Sequence, residues 1–151
     1  MLDVAAGGGR HARWLADRGH AVTAVDRDTD ALRELAHPRI TVVTADLENG
    51  AWPFAGRAFD TVVVVDYLWR PLLPSLFDAL APGGMLCYET FATGNERFGR
   101  PRNPDFLLRS GELLEFARGR LEVLEYAHGE HGEPPNAVRQ RLLARRPSVT
   151  A

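Results

Sequence analysis

Lysine is absent from this 151-residue chain; all 18 of its basic residues are arginine. That excludes a P-loop lysine, a Schiff-base lysine and a kinase-type lysine. The single cysteine, Cys87, excludes a disulfide framework and a structural zinc site. Isoleucine occurs once, as Ile40, against 20 alanines, a bias we read as GC-rich codon usage rather than function. No apolar run approaches the roughly 18 residues of a membrane helix. Met1-Leu2-Asp3 places a carboxylate where a signal peptide carries basic and apolar stretches. Charge of one sign is also lacking: 18 basic residues against 20 acidic leave -2, without the basic excess of a duplex nucleic-acid binder. These absences predict a cytoplasmic protein without a membrane or nucleic-acid partner.

What is present is ordinary globular composition, 45% hydrophobic and 25% charged. The length suits one domain over residues 1–151, burying roughly 70% of its unfolded surface without a metal or disulfide staple. Strand-like and helix-like segments alternate along it. Leu2 to Ala5 is apolar and runs into Gly7-Gly8-Gly9. Arg10 to Arg18 has helical spacing of Ala12, Leu15 and Ala16. Ala21 to Val25 is a second strand, and Asp28 is placed to cap a helix that Pro38 terminates. Ile40 to Ala45 is a third strand, and Asn49 to Arg57 is turn-rich. The unbroken valines of Phe59 to Val65 suit a strand buried on both faces of a parallel sheet.

A helix starts at Pro71, carries Leu72, Leu73, Leu76, Phe77 and Leu80, and stops at Pro82-Gly83-Gly84. Met85 to Thr90 is a fifth strand, followed by a long loop, Phe91 to Arg109. Ser110 is placed to cap one more helix. Leu121 to Tyr126 and Ala137 to Ala144 are joined by a connection too short for a crossover, so they pair antiparallel. The pattern predicts an α/β, doubly wound sheet.

In such sheets ligands bind outside the carboxyl ends of the strands. Asp26, Asp46 and Asp66 each follow an apolar run, and Asp3 lies just before the glycines, so four acids approach one rim. Like charges cost up to ~4 kcal/mol for a pair ~4 Å apart at an effective dielectric of ~20. The rim therefore predicts a ligand that is cationic or rich in hydroxyls. Gly7-Gly8-Gly9-Arg10-His11-Ala12 also satisfies G-x-G-x-x-A, the dinucleotide fingerprint, with Asp26 on a ribose. That alternative, a nicotinamide- or nucleotide-binding Rossmann module, sets acidic neighbours against two phosphates and leaves no room for a substrate domain.

Asp3-Val4-Ala5-Ala6-Gly7-Gly8-Gly9 resembles the D-x-G-x-G-x-G loop of class I S-adenosylmethionine-dependent methyltransferases, with Ala5 at the first glycine. Asp26 matches their ribose-binding acid, Asp46-Leu47 the adenine-reading pair, and Leu80-Ala81-Pro82-Gly83-Gly84 the L-x-P-G-G turn. The resemblance spans the chain. It implies a seven-stranded Rossmann-like sheet of order 3-2-1-4-5-7-6 with strand 7 antiparallel, and S-adenosylmethionine as cofactor. It implies cofactor contacts from Asp3, Ala5, Gly7, Gly9, Arg10, His11, Asp26, Arg27, Asp46, Leu47 and Asp66. By analogy with small-molecule members of the tellurite-resistance type, Arg10 pairs with the cofactor carboxylate.

Asp66-Tyr67-Leu68-Trp69 does not match N/D-P-P-Y/F, so methylation of adenine or glutamine nitrogen through that motif is not expected. Asp66 and Tyr67 are the candidate catalytic pair, orienting or deprotonating a small-molecule acceptor. The 91–109 loop has the length of a lid, and its arginines, with Asn95 and Asn103, form a candidate clamp for an anionic acceptor; Glu89, Glu96 and Asp105 balance that charge, so internal pairing is the equal alternative. Cys87 reads as inert core and His128 with His131 as solvated, so no metal is expected. The resemblance also implies helices before the first strand. Met1 already lies in that strand, so we expect an internal start, with an uncovered site that favours a homodimer. A non-catalytic cofactor-binding subunit is the third alternative.

Overall fold

The computed structural model describes residues 1–148. Seven strands form one sheet of order β3-β2-β1-β4-β5-β7-β6. They are β1 (Leu2–Val4), β2 (Val22–Asp26), β3 (Ile40–Thr44), β4 (Phe59–Val65), β5 (Leu80–Phe91), β6 (Glu122–His131) and β7 (Ala137–Arg145). β1 to β5 pair parallel, and β7 runs antiparallel between β5 and β6. The sheet order and the direction of strand 7 are those the resemblance implies.

Among the described residues four α-helices pack on the sheet: α1 (Arg10–Asp17), α2 (Asp30–Glu34), α3 (Leu73–Asp78) and α4 (Glu112–Ala117). Side chains alternate faces along a strand, and a core lies on each face of the sheet. Leu2, Val4, Val62, Val64, Leu86 and Leu142 pack with Leu72 and Leu76 before and within α3, and with Leu113 and Ala117 of α4. On the other face Val22 and Ala24 pack against Ala12 and Ala16 of α1 and Leu32 of α2. Farther along that second face, Val65, Cys87 and Leu143 line a shallow groove of about 280 Å3. Cys87 is thus half-buried at a sheet face rather than enclosed in the core, although burial still raises its thiol pKa.

Several boundaries differ from the sequence reading, each for a local reason. Thr29, not Asp28, is the N-cap of α2; the Asp28 carboxylate instead accepts the Asp30 amide at 3.2 Å. Gly111, not Ser110, precedes α4, in the left-handed conformation at φ 72°. Helix α3 ends at Asp78, and β5 starts at Leu80 and runs through Pro82-Gly83-Gly84. Gly84 is required there, because a Cβ would stand 2.8 Å from the Ala81 carbonyl oxygen and 3.0 Å from that of Phe59. β6 continues five residues past Tyr126, to His131, as an exposed edge strand, so ladder bonds rather than apolar burial define its end. Among the described residues no helix is long and apolar enough to cross a membrane.

Candidate active site

The loop between β1 and α1 gets its shape from its backbone. Ala5, Gly7 and Gly9 all have positive φ, at 54°, 55° and 81°. Gly9 caps α1 and also touches its neighbours: a Cβ there would lie 2.6 Å from Leu32 Cδ2 and 2.7 Å from Leu35 Cδ1. Glycine at position 9 thus serves both the turn and the packing of α2 against the loop. Gly7 and Gly8 face open space instead.

Asp26 closes the loop from β2. Its Oδ2 accepts the Gly7 amide at 2.9 Å and its Oδ1 accepts the Asp28 amide at 3.1 Å. Beyond β3, Asp46 accepts the amides of Glu48 and Asn49 at 2.9 and 3.1 Å, and the Asn49 side chain at 3.1 Å. The Asn49 side chain first, then these amides, hold its carboxyl below the ordinary value. Asp66, at the end of β4, is itself in the left-handed region at φ 56°. Arg139 Nη1 of β7 donates to Asp66 Oδ1 at 2.7 Å and to Glu89 Oε1 at 3.3 Å.

Asp26, Asp46 and Asp66 line a single cleft of about 510 Å3, together with Ala5, Arg27, Leu47 and Tyr67. Three of the four acids thus meet as their strand-end positions predict. Their mutual repulsion is answered within the protein, by amides at Asp26, by amides and Asn49 at Asp46, and by Arg139 at Asp66. These partners leave the cleft open to a ligand that is cationic or rich in hydroxyls, as the acidic rim predicts.

Asp3 lies elsewhere. It is 2% exposed beneath α1, near the Ala12 amide, and its Oδ2 has no partner. Burial, eased by the Ala12 amide and reinforced by Asp26, lifts its pKa to about 7. The side chain supports the loop from below and is not part of the cleft wall.

Arg10 and His11 open α1 onto an adjoining polar recess of about 440 Å3, shared with Asp66, Glu89, Phe91, His131, Asn136 and Arg139. Burial, then the Arg10 charge, lowers the His11 pKa against opposing pulls from Asp66 and Glu89. His11 is therefore neutral at pH 7. Tyr67 donates to Glu48 Oε1 at 3.4 Å; burial first, then Glu48, raises its hydroxyl pKa. Tyr67 stays protonated and is a hydrogen-bonding group rather than a base.

The 91–109 segment is pinned rather than free. Asn95, 1% exposed, donates to the Pro101 carbonyl at 3.1 Å and accepts the Val138 amide at 3.1 Å. Arg70 donates to the carbonyls of Asp105 and Leu107 at 2.9 and 3.0 Å, and to both oxygens of the buried Glu112 at 2.6 and 3.0 Å. The arginines expected to clamp an anion do not face either cleft: Arg97 pairs with Glu130 at 3.1 Å, and Arg100 and Arg102 are exposed. Sequence reasoning missed Arg139, Arg70 and Glu112, whose mutual partners lie 42 to 73 residues away in the chain.

The methyltransferase domain family matches residues 1–84. No curated protein matches the sequence. A methyltransferase structure from Methanosarcina mazei is 18% identical, with a TM-score of 0.76 over 97% of this chain and 92% of the other. N-methyltransferase NodS from Bradyrhizobium japonicum, in complex with S-adenosyl-L-homocysteine, is 17% identical, with a TM-score of 0.74 over 97% and 77%. TehB from Haemophilus influenzae is 20% identical, with a TM-score of 0.72 over 96% and 57%. The antiparallel β7 inserted beside β5 also departs from the 3-2-1-4-5-6 order of dinucleotide-binding sheets. The chain belongs to the methyltransferase domain family and has the class I, S-adenosylmethionine-dependent methyltransferase fold.

Proposed function

We propose that this protein transfers a methyl group from S-adenosylmethionine to a small-molecule acceptor. The observation that carries this reading is the setting of Asp26. Two backbone amides fix both of its oxygens at the cleft edge, while Ala5 and Leu47 line the same cleft. A carboxylate so oriented keeps lone pairs for ribose hydroxyls without reorganising.

The remaining residues fit the cofactor by chemistry. Asp46 and the Leu47 backbone suit the adenine, and Arg27 covers the same end. Gly7 and Gly8 leave open space above the loop, which lets a ligand approach the backbone closely. Arg10 supplies a cation for the carboxylate, and neutral His11 lies beside it in the polar recess. Asp3 and Gly9 are positioning residues that hold the loop. The cofactor supplies an electrophilic methyl group on a sulfonium. The protein's own contribution is orientation, exclusion of water and Asp66, which accepts the acceptor's proton. The near-neutral charge of the chain favours a small acceptor over a nucleic acid.

Calorimetric titration with S-adenosylhomocysteine and with NAD(H), on the parent and on Asp26→Ala, tests the proposal. Micromolar binding of the thioether that is lost in the variant is expected. Binding of NAD(H) alone would overturn it.

A further inference from the structure

Two recesses with different chemistry meet at Asp66 and Phe91, the side chains that line both. On one side lies the polar recess of Arg10, His11, Glu89 and Arg139. On the other, beyond the adenosine end of the main cleft, the wall carries the uncharged Tyr67, Leu68, Thr90, Phe91, Pro101 and Phe106, flanked by Asp66 and by Glu48, which accepts the Tyr67 hydroxyl at 3.4 Å. Phe91 is the partition. Arg139 lies over its ring with the guanidinium carbon 4.1 Å from the centroid, and carboxylates at 2.7 and 3.3 Å already claim that cation.

The uncharged lobe is built before any ligand arrives. Asn95 holds the Pro101 carbonyl, and Arg70 holds the carbonyls on either side of Phe106. Phe106 is 48% exposed although its backbone is anchored on both sides. An aromatic ring fixed at the mouth of a cleft without cover is apolar surface available to a ligand.

We infer that this lobe is the acceptor site and that it takes an uncharged, planar aromatic or heteroaromatic small molecule whose nucleophilic oxygen or nitrogen faces Asp66. The assignment rests on the proposed cofactor placement. Adenosine occupies the Asp26–Leu47 end and a zwitterionic amino-acid group suits the polar recess, so the uncharged lobe remains for the acceptor. An anionic acceptor would be desolvated there beside the Asp66 carboxylate, with Arg139 already paired to Asp66 and Glu89 and Arg27 at the adenosine end. A saturated acceptor of the same size would forgo stacking on Phe91, Tyr67 and Phe106. In the reaction the acceptor's lone pair forms the bond to the methyl carbon. The carbon–sulfur bond breaks with its electron pair left on sulfur, and the acceptor's proton passes to the Asp66 carboxylate.

The test is titration of the protein saturated with S-adenosylhomocysteine, using three matched probes: 2-naphthol, 2-naphthoate and decahydro-2-naphthol. Binding is read by calorimetry and by saturation-transfer NMR. We expect 2-naphthol to bind about tenfold more tightly than either other probe. Phe106→Ala is expected to weaken 2-naphthol about tenfold while leaving S-adenosylhomocysteine affinity unchanged. Equal or tighter binding of 2-naphthoate, no selectivity over the saturated alcohol, or indifference to Phe106→Ala overturns the assignment. Those results with S-adenosylhomocysteine still bound leave the cofactor reading standing. Failure of S-adenosylhomocysteine to bind in the first titration overturns both.

Discussion

Arg139 of β7 reaches past β5 to Asp66 at the end of β4, with 2.7 Å between Nη1 and Oδ1. The pair joins two strands that are not neighbours in the sheet and holds a carboxylate whose own backbone is left-handed. Asp66 is 41% exposed on its side chain, so the pair is worth about 0.5–1 kcal/mol rather than the value of a buried ion pair. A double-mutant cycle of Arg139→Met and Asp66→Asn, read by urea denaturation, is expected to return a coupling of that size. A coupling of zero would show that the two side chains do not stay together in solution.

Asp3 gives the fold a pH dependence of unusual sign. Its folded pKa of about 7 stands above the unfolded value of about 3.9. The folded state therefore binds the extra proton between those values. Stability falls as pH rises from about 4 to 7, and the cost persists at higher pH. Asp3→Asn removes the term and is expected to stabilise the protein by on the order of 2–4 kcal/mol at pH 8. Thermal denaturation from pH 4 to 8 checks this. The two proteins should converge at the acid end, and a constant offset would contradict the account.

Glu112 behaves in the opposite sense. Burial alone would lift its carboxyl, but the Arg70 hydrogen bonds, the Arg109 amide and both guanidinium charges outweigh that and lower it. Its contribution is complete above the unfolded value of about 4.3 and is lost as pH falls through the folded one. Arg70→Ala strands the buried carboxylate and is expected to cost about 3 kcal/mol at pH 7, less at pH 3.5, by urea midpoint. The variant should also be cut faster by protease within 100–109, because two carbonyl anchors are gone.

Ala5 occupies a position with φ 54°, where an L side chain is strained. Ala5→Gly is expected to raise stability by about 0.5–1 kcal/mol, and Ala5→Val to lower it by about 2 kcal/mol. Chemical denaturation of the two variants decides. A stabilising valine would show that the loop does not adopt this conformation in solution.

Wherever local pattern decided the structure, the sequence could be read. β4 occupies Phe59–Val65 as its run of valines requires, and Asp26, Asp46 and Asp66 reach one cleft because each follows an apolar strand. Polar residues that are buried gave no such signal. Glu112, Asn95 and Gln140 have the composition of surface, yet they are 0%, 1% and 0% exposed. Their partners Arg70, Val138 and Leu113 lie 42, 43 and 27 residues away, a separation no local pattern reports. Asp3 was misplaced for a related reason. Its motif position was legible, but the alternation of faces along β1 sends the side chain under α1.

The double anchoring of the 91–109 segment has a kinetic consequence. Ordering that wall is part of folding, so ligand capture includes no slow loop rearrangement. In a stopped-flow experiment the observed rate then rises linearly with ligand concentration and shows no plateau. If the proposed transfer takes place there, turnover is expected to be timed by chemistry and by departure of the thioether, not by the opening of a door.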